Sequence, residues 1–179
     1  MTEKQQLGQI IAGCRRGDAE SFSQLVDIYA GRCYGYFYRM TGNRDISDDL
    51  LSELFVKLVE KIKTYKGGGF NGWIFKVTGN VFYDYLRHKY RDTKMLEARK
   101  QLFEEDITQT PDDGDQRVDN LQKFLDRLDT ETRELIMLRF YSGLSFKEIA
   151  EIRAMPTGTI LSKVHRGLKK LRELLGAEK

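Results

Sequence analysis

Apolar residues return every three or four positions along most of this chain, and no segment shows sustained apolar–polar alternation. That period is one face of a helix of about 3.6 residues per turn, so the pattern predicts an all-α protein. The first two helices read as Glu3–Arg16, stopped by Gly17, and Ala19–Met40, which carries Phe22, Leu25, Val26, Ile28, Tyr29, Tyr34, Phe37 and Tyr38. Thr41-Gly42-Asn43 closes the second, because glycine accepts the left-handed backbone on which helices end. A third helix, Ile46–Ile62, runs on the stripe Ile46, Leu50, Leu51, Leu54, Phe55, Leu58, Val59 and Ile62, with Asp45 or Ser47 as its expected cap. Asp48 and Asp49 fall in its first turn, where the helix dipole favours acids, and Glu53 and Lys57 form an i,i+4 pair.

After a loop at Thr64–Gly69 comes FNGWIFKVTGNVFYDYLRHKYR, Phe70–Arg91. On a helix, Ile74, Phe75, Val81, Phe82, Tyr85 and Leu86 fall on one arc that must dock on a core. Asn80, Asp84, Arg87 and Arg91 recur at i, i+4, i+7 and i+11 on the other side, with Lys76 and Tyr83 beside them and Trp73 a turn earlier. An amide, a carboxylate, guanidiniums and aromatic rings together suit stacking and hydrogen bonding to unpaired bases beside a phosphate backbone.

The stretch 96–119 loses apolar periodicity after Phe103 and gathers acids, Pro111 and Gly114, which reads as a flexible acidic linker between two domains. Beyond it four helices are predicted, Val118–Leu128, Thr130–Tyr141, Ser145–Arg153 and Thr157–Leu175. Ser145-Phe146-Lys147-Glu148 fits the capping box, and Pro156 stops the helix that precedes it. A capped helix, a turn of about four residues and a final helix make a helix-turn-helix order. On the last helix Ile160, Val164, Leu168 and Leu171 form the inner stripe. Thr159, Ser162, Lys163, Arg166 and Lys170 lie opposite with no acid among them, a face suited to phosphates and base edges.

Composition sharpens this picture only through its distribution. The net charge of the 179 residues is +3, too small by itself to specify a nucleic-acid partner. Acids nevertheless crowd the linker, while Thr157–Arg172 holds Lys163, Arg166, Lys169, Lys170 and Arg172 and no acid. The start MTEKQQLGQII lacks a basic-then-apolar secretory pattern and no apolar run approaches membrane length, so a soluble cytoplasmic protein without membrane insertion is expected. Cys14 and Cys33 form no CxxC pair and read as reduced thiols, and with His88 and His165 they lack metal-ligand spacing. No cofactor loop is present, since Gly67-Gly68-Gly69 is not followed by Lys-Ser/Thr. Asp48/Asp49 and Glu104/Glu105 lack the histidine and pocket cues of a catalytic pair, so an enzyme is not expected.

Two of these motifs together resemble the extracytoplasmic-function, or group 4, sigma factors of the sigma-70 family. Asp45-x-x-Asp48-Asp49-Leu50 with Glu53-x-Phe55, and then FNGWIFKVTGNVFYDYLRHKYR, are similar to sigma region 2. GLSFKEIA and the P-x-GT-I start at Pro156 are similar to region 4. The resemblance implies a region 2-like domain over 1–95, the linker 96–119 and a region 4-like helix-turn-helix domain over 120–179. It implies core RNA polymerase, promoter DNA and an anti-sigma factor as partners. Asp48, Asp49, Leu50, Glu53 and Phe55 would bind the polymerase. Lys66, Phe70, Trp73, Lys76, Asn80, Tyr83, Asp84, Arg87 and Arg91 would meet the −10 element, with the Lys66–Phe70 loop receiving a flipped base. Thr157, Thr159, Ser162, Lys163, Arg166 and Lys170 would meet the −35 element. Leu161 stands where that family often has a basic residue. A stand-alone helix-turn-helix regulator with an N-terminal sensing domain is the alternative. It explains the C-terminal half equally well, but not the face from Trp73 to Arg87.

Overall fold

The computed structural model describes residues 3–100 and 116–176, with side chains over 5–95 and 121–176. Every regular element among them is helical. Helix α1 is Glu3–Arg16, α2 Ala19–Thr41, α3 Arg44–Lys61 and α4 Phe70–Lys100, with one 3₁₀ turn at Ile62–Thr64. After the undescribed stretch come α5 (Gln116–Leu125), α6 (Thr130–Ile136), a π-helical turn (Met137–Tyr141), α7 (Phe146–Arg153) and α8 (Thr157–Gly176). No described helix is long and apolar enough to cross a membrane.

The N-terminal unit is built on α2, with α1, α3 and α4 packed around it. Leu25, Tyr29, Cys33, Tyr36 and Phe37 of α2 are buried with Leu50, Leu54 and Leu58 of α3 and Ile74, Phe75, Val81 and Phe82 of α4. In the C-terminal unit Leu135, Leu138, Leu144, Ile149, Ile160 and Val164 close a smaller core between α6, α7 and α8. Cys14 and Cys33 are buried free thiols, and burial pushes the Cys33 thiol up to about 11.

Helix ends follow local chemistry. Asp18, Asn43, Asp129 and Ser145 each accept a backbone N–H of the helix they open. The cap of α3 is therefore Asn43, whose Oδ1 accepts from the Ile46 amide at 2.9 Å, and not Asp45 or Ser47. Ser47 is buried instead and donates its hydroxyl to the Asn43 carbonyl at 2.6 Å. Gly42 ends α2 at φ 68°, and the Ser145–Glu148 capping box opens α7.

The boundaries that differ most from the sequence reading lie around the stretch read as linker. Helix α4 continues through residue 100 and α5 begins at Gln116, so both ends of the stretch read as linker are helical. The acids of 101–115 lie outside the described residues. Helix α5 stops at Leu125, where the amides of Arg127 and Leu128 tighten onto the carbonyls of Phe124 and Leu125. Val59, placed in the core stripe of α3, is 54% exposed, and neighbouring Val56 is 62% exposed. More apolar residues lie along α3 than one buried face can take, and Leu50, Leu54 and Leu58 fill that face.

Candidate nucleic-acid interface

The α4 face is only partly free. Asn80, Arg87 and Arg91 are exposed, and so are Lys76 and Lys66. The Asp84 carboxylate accepts from Lys57 Nζ at 3.1 Å and pairs with Arg87 one turn on, while Lys57 also binds Glu53 at 2.6 Å. Partial burial would raise the Asp84 carboxyl, but the Lys57 and Arg87 cations outweigh it and hold the group below the usual carboxylate range. Lys57 is correspondingly pushed up: desolvation opposes its charge, and Glu53 and Asp84 win. Arg91 reaches His88 Nδ1 at 3.3 Å.

Trp73 is half-buried and packs on Tyr65 and Phe70, with ring centroids 5.5 and 5.4 Å apart. Phe70 is only 4% exposed and stands edge-on to Tyr29 and Tyr65. Phe70 is thus a core residue that supports the loop rather than a free stacking platform. Gly67 and Gly68 sit at φ 99° and 94°, backbone that only glycine adopts easily, and Tyr65 pins the loop by donating its hydroxyl to the Gly68 carbonyl at 2.6 Å. Between this loop and α1 lies a groove of about 760 Å³ lined by Tyr29, Arg32, Tyr65, Lys66 and Asn71. Arg32 and Asn71 were not singled out in the sequence. Arg32 interrupts the apolar run of α2, its guanidinium rests 5.4 Å from the Phe75 ring, and it donates to Asn71 Oδ1 at 2.9 Å.

On α3, Asp48, Asp49 and Glu53 are exposed and Phe55 is half-buried. Leu50 is 3% exposed and belongs to the core, so it props this face without reaching a partner. The exposed Val56 and Val59 are the apolar residues this helix presents to solvent.

On α8, Thr157, Thr159, Ser162, Arg166 and Lys170 are exposed, as is Leu161 at 46%. Lys163 is half-buried and ion-paired with Glu131 of α6. The helix carries no acid on that face, but its neighbour supplies one, which no pattern within α8 could reveal. Lys170 donates to the Arg127 carbonyl at 2.5 Å and Arg166 reaches back to the Ser162 carbonyl at 3.3 Å. The face still presents an exposed guanidinium, an ammonium and three hydroxyls in front of a capped supporting helix.

A helical bundle with a polar-aromatic face, joined in one chain to a basic helix-turn-helix, has the make-up of a DNA-binding protein. Residues 25–92 match the Sigma-70 region 2 family and residues 119–171 the Sigma-70, region 4 family. The RNA polymerase sigma factor CarQ of Myxococcus xanthus is 32% identical over 164 residues, covering 90% of this chain and 93% of that protein. The factor SigW of Bacillus subtilis is 28% identical, covering 90% and 92%. SigE of Mycolicibacterium smegmatis is 32% identical, and the match spans 87% of this chain but 62% of that longer protein. Among solved structures, the sigma factor RpoE of Bartonella quintana, crystallised with the anti-sigma factor NepR, superposes with a TM-score of 0.73 at 25% identity over 90% of this chain and all of that one. The chain belongs to the sigma-70 family, in its extracytoplasmic-function group.

Proposed function

We propose that this chain is the promoter-recognition subunit of an RNA polymerase holoenzyme, working by binding alone and in the cytoplasm. Its region 2-like part spans 1–95 and its region 4-like part 120–179, with 96–119 as the connection. Asp48, Asp49, Glu53 and Phe55, with Val56 and Val59 beside them, form the surface for core polymerase. Trp73, Lys76, Asn80, Asp84, Arg87 and Arg91 form the surface for unstacked −10 bases, with Lys66 and Tyr83 at its margins. Thr157, Thr159, Ser162, Lys163, Arg166 and Lys170 read the −35 duplex. An anti-sigma protein is the expected regulator, as in the complex of the Bartonella factor with NepR.

The observation that carries this reading is the outward cationic and hydroxyl face of α8, which follows a capped α7, in the same chain as the Asn80–Arg91 face. Stacking is worth roughly 1–3 kcal/mol per base, comparable to the few kcal/mol needed to extrude one, so capture can bias melting without ATP. A stand-alone regulator would account for α7 and α8 but not for the region 2 match over 25–92. The test is the double variant Lys163→Ala with Arg166→Ala. Run-off transcription from −35-dependent promoters should fall by on the order of tenfold or more, since each lost contact costs about 1–3 kcal/mol. Core-polymerase binding should survive, and its loss in this variant would refute the division of labour.

A further inference from the structure

A carboxylate lies against the outward face of α8, and it comes from another helix. Of the three cations on that face, Lys163, Arg166 and Lys170, only Lys163 pairs with an acid among the described residues. That acid is Glu131, in the first turn of α6 and 32 residues back in the chain. Arg166 turns to the Ser162 carbonyl of its own helix, and Lys170 donates to the Arg127 carbonyl.

Packing keeps Glu131 in place. Asp129 caps α6 by accepting the Thr132 amide at 2.9 Å, which fixes the turn that carries Glu131. Helix α8 runs close beside that turn: a Cβ on Gly167 would lie 2.5 Å from Thr132 Cγ2 and 2.8 Å from Ile136 Cδ1. Between the two helices is a groove of about 300 Å³ lined by Asp129, Thr132, Lys163, Arg166, Gly167 and Lys170. One wall thus carries the cations, and the other begins with two acids, Asp129 and Glu131. Partial burial would raise the Asp129 carboxyl, but the Thr132 donors and the Lys163 ammonium hold it below the usual carboxylate range. The Lys163 side chain is 26% exposed and that of Glu131 45%, so their attraction is screened in part but not lost.

The lysine ammonium is a compact cation with three protons. Left free on a helix that faces DNA, it would bind the nearest phosphate, and phosphates are alike at every sequence. Pairing with Glu131 changes this. Moving Lys163 to a phosphate exchanges one anion for another and leaves the Glu131 carboxylate unpaired beside a polyanion. Meeting a base edge requires no such exchange. With one proton on Glu131 two remain, and guanine presents two acceptors, O6 and N7, in the major groove.

We propose that Glu131 is a positioning residue that sets the sequence specificity of the α8 face: it withholds Lys163 from phosphates and turns its two free protons toward a guanine. This rests on the promoter-recognition reading, in which Lys163 meets the −35 duplex.

The test uses the full-length protein bound to core polymerase. The DNA is a promoter duplex selected with wild type from a genomic run-off library, and the same duplex with each −35 base pair replaced in turn. In wild type the preference for one G·C pair should depend on Lys163 and vanish in Lys163→Ala. Glu131→Gln keeps the size of the side chain and removes its charge. The preference for that pair should then fall about two- to fivefold, the worth of a partly exposed ion pair, because affinity for the substituted duplexes rises. Binding to those duplexes should also steepen with salt by about one unit of log–log slope, as one more phosphate is neutralised. In a Lys163→Ala background Glu131→Gln should change neither quantity, a coupling that a general loss of stability would not produce. If Glu131→Gln keeps the base preference of wild type or weakens all duplexes alike, or if Lys163→Ala keeps every preference, the role given to Glu131 is overturned and the promoter-recognition reading is spared. A wild-type chain that shows no base preference on any duplex in the presence of polymerase would sink that reading, and the role of Glu131 with it.

Discussion

Asp84 shows how one candidate contact is held ready. Its carboxylate lies between Lys57 and Arg87, which hold it ionised and fix it against α3. Because the folded state lowers this pKa, the pair stabilises the fold above the ordinary carboxylate value near 3.8, and that contribution fades as pH falls through the depressed folded value. Urea unfolding of wild type and Asp84→Asn should therefore differ near neutrality and converge as the solution is acidified below that ordinary value. The gap should not exceed about 1 kcal/mol, since the side chain is a third exposed and water screens it. A gap that widens on acidification would contradict the ion-pair account. The sequence placed Asp84 beside Arg87, because i,i+3 neighbours share a helix face. Lys57 is 27 residues away on another helix and could not be foreseen.

At the scale of elements, helix termini were the most legible features, since glycines, prolines and capping side chains act within four residues. Gly17 and Gly42 end α1 and α2, and Ser145 with Glu148 opens α7. The α7–α8 turn departs from the glycine habit: Ala154 caps α7 at φ 50°, ψ 42°, the left-handed region that a Cβ disfavours. Ala154→Gly should stabilise the C-terminal unit by roughly 0.5–1 kcal/mol, seen as a higher urea midpoint, because relief of the Cβ clash exceeds the added chain entropy. An unchanged or lower midpoint would mean that the turn is held without strain. The π-helical widening at Met137–Tyr141 had no signal in the sequence. It follows a helix whose Thr132, Glu134, Leu135 and Ile136 are all buried, and it brings Tyr141 against Gly35 of the other unit.

At the scale of the whole molecule, Tyr36 and Glu134 link the two units more deeply than either apolar stripe implied. Tyr36 is fully buried, and burial drives its phenol well above the usual value. Its hydroxyl is one of the donors on which the Glu134 carboxylate depends. Tyr36→Phe keeps the ring and removes that donor, so it should cost about 1–3 kcal/mol. Trp73 fluorescence reports the N-terminal unit and far-ultraviolet ellipticity reports both, and their urea midpoints should fall together. If the fluorescence midpoint alone moved, Tyr36 would serve only its own unit.

The order of the helices, most of their ends and the faces that carry the three sets of candidate site residues were set by the sequence alone, because helical period, capping and motif spacing are local properties of a chain. Which members of those sets are free was decided only by tertiary packing. Leu50 and Phe70 became core, Lys163 met Glu131, and Tyr83 met Glu134. The reason is physical: burial and ion pairing depend on which surfaces meet across 50 or 100 residues, and no periodicity encodes the partner.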